Sequence, residues 1–367
     1  MHRLYKIILN TTRSFAVPGF NFLIALIAIK FLGESKWGEF VQISLWMYLI
    51  VFLANFGNKD YLLRAYSKNP SAINHHFLNN LLTRSIILLT SFLLLFYFPL
   101  NLALVGIVLC LLIFIYQSLE SLVVYHQKFL AQLVVEVIGF GIIITPLFLI
   151  QDVTTFNLLI IYCIGFSIKI IVLVSNLKLE IITKNIRVSF HQLSQSFPFF
   201  LIGLSGWLSS KVDLYLVNIY LPKEELAKYQ VLISAFLMVQ SISASVVYPF
   251  SKHLYRMHDS SINKLKRILG LSAFPIISIC CFTIWLIFEK ILVFRFPNYI
   301  YLFLVDLFIL YKKGCEKTVM SINFGAATFN LIFALFLIPM YGILGAVLSV
   351  LATQCLTLMT YKLKLLK

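Results

Sequence analysis

The sequence predicts an all-α integral membrane protein with about twelve transmembrane helices in two six-helix bundles, related by a pseudo-twofold axis along the membrane normal. Three observations carry this. Apolar stretches, most near the ~20 residues that cross a hydrocarbon core, fill a chain of 367 residues that is 60% hydrophobic. Lysine and arginine gather in every second connection. The hydropathy pattern also repeats when the chain is shifted by 189 residues.

In chain order, the first span covers 14–33; it follows Arg13, contains Pro18 and carries Lys30 near its far end. The second, 39–58, closes on Asn55-Phe56-Gly57. Lys59 to Asn80 reads as the longest loop, and the third span follows at 81–98. The fourth and fifth occupy 102–120 and 131–150, the latter interrupted by Glu136 and Pro146. The sixth, 156–177, contains Lys169. A basic, polar stretch over 178–194 reads as a cytoplasmic linker, dividing a bundle at 1–177 from one at 195–367. The second bundle begins with 196–220, which holds Pro198, Lys211 and Asp213, and continues with 226–249 and 268–288. The tenth span, 297–311, contains Asp306; it is short and suits a tilted or re-entrant segment. Spans at 322–340 and 343–361 complete the set.

With the N-terminus in the cytoplasm, one set of connections and termini holds 22 of the 30 basic residues, whereas the opposite set holds Lys36, Lys223, Lys228, Lys290 and Arg295. The positive-inside rule then places both termini in the cytoplasm. The net charge of +16 follows from that topology and from contact with anionic membrane lipids, so it is no sign of a nucleic-acid partner. The first apolar segment lacks an Ala-x-Ala-like cleavage site and reads as a retained span. Cys110, Cys163, Cys280, Cys281 and Cys355 fall within spans and Cys315 on the cytoplasmic side, which argues against disulfides.

The shift of 189 residues lays Phe31-Leu32-Gly33-Glu34 through Phe40 on Tyr220-Leu221-Pro222-Lys223 through Tyr229, and Lys128 on Lys317. Pro18 and Pro198 take comparable places in the first span of each half, which marks them as candidate hinges. Six crossings is an even number, so both halves enter the membrane from the same side.

Charges within the spans are few, and each costs at least ~2.5–3.5 kcal/mol at mid-membrane unless it meets water, a partner or the bundle interior. Lys30, Lys169 and Lys211, with Arg13 and Arg64 at cytoplasmic ends, are the candidate ligands for an anionic substrate. Glu136, Asp213 and Asp306 are candidates for ion pairs or a coupling cation. Lys211 and Asp213 are two residues apart on one helix and cannot face the same partner. Neither His75/His76 nor His253/His258 has the i,i+4 spacing of a helical metal site, and no Walker-type phosphate loop is present. No catalytic set, metal or cofactor is expected, and any energy input would come from an ion gradient or the substrate gradient.

Several stretches support a family resemblance. Phe31-Leu32-Gly33-Glu34-Ser35-Lys36-Trp37-Gly38-Glu39-Phe40 and Asn55-Phe56-Gly57 resemble the opening of Wzx-type polysaccharide-repeat flippases, in the multidrug/oligosaccharidyl-lipid/polysaccharide (MOP) exporter superfamily. Ser196-Phe197-Pro198, Trp207, Asp213, Leu221 to Tyr229 and Tyr248-Pro249-Phe250-Ser251 are similar to that family's seventh and eighth helices. Asn330 and Leu337 to Ala346 resemble its eleventh-to-twelfth helix turn. The resemblance covers nearly the whole chain and implies a MOP-type transporter fold. It further implies that the substrate is an undecaprenyl-diphosphate-linked oligosaccharide of O-antigen or capsule type, moved from the cytoplasmic to the periplasmic leaflet of a bacterial inner membrane by alternating access. A polysaccharide polymerase and glycosyltransferases are the protein partners it implies. The chain is shorter than usual for the family, with the deficit around the tenth span.

Two other readings compete with a non-enzymatic flippase. An ion-coupled multidrug exporter of the same superfamily would need an acidic cavity, whereas basic residues in and near the spans outnumber Glu136, Asp213 and Asp306. A membrane polymerase or glycosyltransferase would need a large outer loop or a carboxylate cluster, and the sequence offers neither.

Overall fold

The structure is a computed structural model that describes residues 2–150, 152–177, 187–247, 279, 282–287, 289 and 316–365. The tenth span with Asp306, most of the ninth, and linker residues 178–186 lie outside the described residues. Helices account for almost all of what is described: α1 (His2–Leu32), α2 (Glu34–Asn55), α3 (Asn58–Lys68), α4 (Ile73–Leu88), α5 (Leu94–Tyr97), α6 (Leu100–His126), α7 (Phe129–Leu149), α8 (Thr155–Leu177), α9 (Phe190–Tyr220), α10 (Lys223–Val247), α11 (Glu316–Tyr341) and α12 (Ile343–Leu365). Eight helical stretches among the described residues are long and apolar enough to cross a membrane; α9, bent by 54° between Leu208 and Ser210, makes up to nine. α10 covers the expected eighth span as far as Val247, with Glu224 and Glu225 in its first turn ahead of the largely apolar run 231–239.

The chain divides into two compact units, Met1–Arg13 with Ile27–Leu204 and Ser14–Leu26 with Ser205–Lys367. In the first, α6 is central and touches α2, α3, α4, α5, α7 and α8. α7 shows why the unit belongs in lipid. Its buried face carries Gln132, Glu136, Gly139 and Ile143, while Leu130, Val134, Val137 and Ile138 are exposed. Polar inside and apolar outside is the reverse of a water-soluble helix, and it matches a surround that cannot hydrogen-bond.

Turns fall where the backbone needs glycine. Gly33, at φ 83° and ψ 166°, ends α1 and opens α2, a conformation essentially confined to glycine. Phe56 and Gly57 are both left-handed, at φ 43° and 68°, and break α2 from α3. The Phe56 ring stacks on Phe200 with centroids 4.5 Å apart, and a Cβ on Gly57 would lie 2.6 Å from the Phe200 nitrogen. The break is therefore shaped to receive the backbone of α9. The stretch from Lys59 to Asn80, expected as a loop, is instead α3, a 3₁₀ turn at Pro70–Ala72 and the first half of α4. α3 is amphipathic, burying Tyr61, Leu62 and Tyr66 while exposing Arg64, Ser67 and Lys68, so its few apolar residues suffice to dock it.

In the second unit, α11 and α12 form a hairpin across Gly342 at φ 59°, whose N–H donates to the Ile338 carbonyl at 2.8 Å. A Cβ on Gly345 would overlap the Leu337 carbonyl, so the two backbones meet at closest approach there.

Candidate functional site

The first unit encloses two polar clusters, built mainly from α6 and the helices around it. At one end, Arg84 of α4 is fully buried. Its Nε donates to Asn80 Oδ1 at 2.7 Å, one helical turn back on the same face. Its Nη2 donates to Ser118 Oγ at 2.9 Å and its Nη1 to Asn55 Oδ1 at 3.2 Å, and the guanidinium lies 4.9 Å from the centre of the Phe114 ring. The guanidinium also sits beside the last carbonyls of α2, the negative end of that helix. All these partners are neutral, so the cation is held by dipoles and a ring face.

Asn55 also donates to Gln117, which carries the network along α6 towards Glu120. Glu120 Oε1 accepts from Arg13 Nη2 of α1 and from Lys59 Nζ of α3, the latter at 3.0 Å. Two cations therefore converge on one carboxylate oxygen. Side-chain exposure rises across the three, 10% for Arg13, 27% for Glu120 and 42% for Lys59.

The second cluster lies deeper along α6, α7 and α8. Lys169 Nζ meets Glu136 Oε2 at 2.7 Å, and Tyr116 Oη donates to Glu136 Oε1 at 2.5 Å. The ammonium is 5.0 Å from the Phe166 ring centre and 5.4 Å from that of Tyr116. Gly139, one turn from Glu136, makes the room, since a Cβ there would overlap Lys169 Cε.

In the second unit, Asp213 of α9 is buried and accepts from Tyr229 Oη of α10, while its Oδ1 has no partner among the described residues. Lys211 is half-buried. Asn330 of α11 is fully buried, with both amide atoms unpartnered among the described residues.

The candidates named from the sequence are thus distributed among several places. Arg13 is joined to Glu120, Lys169 to Glu136 and Asp213 to Tyr229, whereas Lys30 and Arg64 are exposed. Pro18 is half-buried within α1 and Pro198 exposed within α9; the bend of α9 falls about ten residues beyond Pro198, at a run of small residues, Ser205, Gly206, Ser209 and Ser210. Arg84, Glu120, Lys59 and the tyrosine partners are functional candidates that sequence reasoning missed. The available signals were the i,i+4 spacing of Asn80 and Arg84 and the polar run Gln117, Ser118, Glu120, Ser121 at the end of the otherwise apolar α6. Among the described residues, no group of three or more His, Cys, Asp or Glu side chains could hold a metal ion.

No protein-family model matches the chain, and no curated protein matches it. Among solved structures it is similar to the lipid II flippase MurJ in an inward closed conformation, with a TM-score of 0.61 over 97% of this chain and 87% of that one, at 17% sequence identity. Likeness at that identity is one of fold. The chain is a multi-pass α-helical membrane protein with a MurJ-like fold.

Proposed function

We propose that the protein is a non-enzymatic flippase of the MOP superfamily. Its substrate is an undecaprenyl-diphosphate-linked oligosaccharide repeat unit of the O-antigen or capsule type, carried across a bacterial inner membrane by alternating access. The observation that carries this reading is the fold, shared over 97% of the chain with a lipid II flippase. Physical chemistry gives it content. Moving one carboxylate- or ammonium-sized ion into hydrocarbon costs on the order of 20 kcal/mol by an idealised Born estimate, so a diphosphate head group cannot cross without a polar, cationic route.

Arg13, Arg64, Lys30 and Lys211 are the cations assigned to the head group. Lys169, also a candidate from the sequence, is assigned to its ion pair with Glu136. Asp213 is the candidate for a coupling cation, with Asp306 a further acidic candidate. Twelve spans in two bundles and cytoplasmic termini complete the proposal.

The test is translocation in proteoliposomes of a fluorescent undecaprenyl-diphosphate-linked oligosaccharide, read by quenching from outside. Protein-dependent translocation is expected, and Lys211→Gln and Arg64→Gln should each slow it by about tenfold, the worth of one charge-assisted hydrogen bond. Translocation unchanged in both variants would overturn the cation assignment. Efflux of cationic dyes without lipid movement would favour a multidrug exporter instead.

A further inference from the structure

Resting on the flippase reading above, we propose that Glu120 is an internal substitute for the substrate's diphosphate: at rest it holds Arg13 and Lys59, and an arriving head group takes both cations from it.

The charge count within the cluster points this way. Arg13 and Lys59 both bind Oε1 of one monoanion, so the three side chains sum to one uncompensated positive charge. A doubly anionic diphosphate diester would more than compensate that charge, whereas Glu120 cannot. The donors are also incompletely used. Arg13 is nine-tenths buried and its Nε has no hydrogen-bond partner among the described residues, although a guanidinium is built to grip an oxyanion with two parallel N–H groups. Exposure increases from Arg13 through Glu120 to Lys59, so the cluster opens at Lys59, where a head group can reach it.

Glu120 does two things in this arrangement. It keeps Arg13 compensated before substrate arrives, since an unpaired buried cation is strongly destabilising. It also competes with the substrate, which stops the two cations from holding the head group so tightly that release becomes slow. A ligand bound equally well before and during passage gains no speed from tighter binding. Glu120 is thus a positioning residue that tunes affinity against turnover. A tie of α1 and α3 to α6 is the alternative, and it predicts no gain in affinity for the head group when Glu120 is changed.

The experiment uses the full-length protein in nanodiscs, with undecaprenyl diphosphate as the binding probe and inorganic pyrophosphate as a control. Glu120→Gln should bind the lipid about fivefold tighter, the equivalent of about 1 kcal/mol of lost competition, while flipping at saturating substrate slows. Arg13→Gln and Lys59→Gln should bind it more weakly. The probe should raise the melting temperature of Glu120→Gln more than that of the parent, because binding restores the missing anion. Glu120→Asp, which keeps the charge on a shorter arm, should also bind more tightly and serves if Glu120→Gln fails to fold. If neither Glu120 variant binds more tightly while Arg13→Gln and Lys59→Gln still weaken binding, Glu120 is only a helix tie and the inference fails alone. No binding of the lipid by the parent protein, or equal binding of inorganic pyrophosphate, removes the flippase reading together with it.

Discussion

Lys169 and Glu136 are each less than a tenth exposed, and their cost of desolvation is met by a 2.7 Å contact, the Tyr116 hydroxyl and two aromatic faces. Such a pair is stable only when complete. Glu136→Gln should therefore destabilise the protein by about 3–5 kcal/mol, whereas the double variant Glu136→Leu with Lys169→Met should recover most of that loss, as read by thermal unfolding in detergent. Flipping should survive in the double variant. Its loss in a protein that still folds would return Lys169 to the head group. The sequence made Lys169, Glu136 and Asp213 visible because a charge inside an apolar run is conspicuous. Arg84 and Glu120 escaped notice because they lie where spans merge into polar flanks, and a basic residue there reads as a topological signal. Only the packing of α2, α4 and α6 shows that Arg84 points inward.

Helix ends were more legible than helix faces. Gly33, Gly57 and Gly342 mark turns that sequence alone located, each at a positive φ that a Cβ would strain. The helical character of 59–80 was missed, although Tyr61, Leu62 and Tyr66 already outlined an apolar stripe, because the charges between them lowered the local hydropathy. A tertiary link at this level was invisible in the sequence. Asn79 Oδ1 accepts from the Arg187 backbone N–H and Thr83 Oγ1 from that of Ser189, both at 3.0 Å, which anchors the chain entering α9 to α4. Asn79→Ala with Thr83→Val should release it. Two hydrogen bonds worth about 1 kcal/mol each imply an increase of about tenfold or more in the open population, read as faster tryptic cleavage after Arg187. An unchanged cleavage rate would show that other contacts hold the segment.

Across the whole molecule, the internal repeat reappears in helix starts. α2 and α8 begin at 34 and 155, and α10 and α12 at 223 and 343, close to the 189-residue shift in both pairs. Within the first unit, Lys36 lies 3.5 Å from Asp152 and Thr155 donates to Glu39 at 2.6 Å, which puts the α1–α2 and α7–α8 turns at one end, as alternating crossings require. A fluorescent protein fused after Lys367 should fluoresce in cells, and a cysteine at Lys36 should react with an impermeant maleimide from outside; the opposite pattern would invert the topology. By itself the sequence determined the membrane class, the turns at Gly33, Gly57 and Gly342, and the sidedness to be tested, because these depend on local hydropathy, glycine conformation and the distribution of charge along the chain. Tertiary structure alone decided which charges are compensated: Arg13 by Glu120, Lys169 by Glu136 and Arg84 by neutral dipoles. Pairing is set by the rotation and contact of helices distant in sequence, and hydropathy carries no record of either.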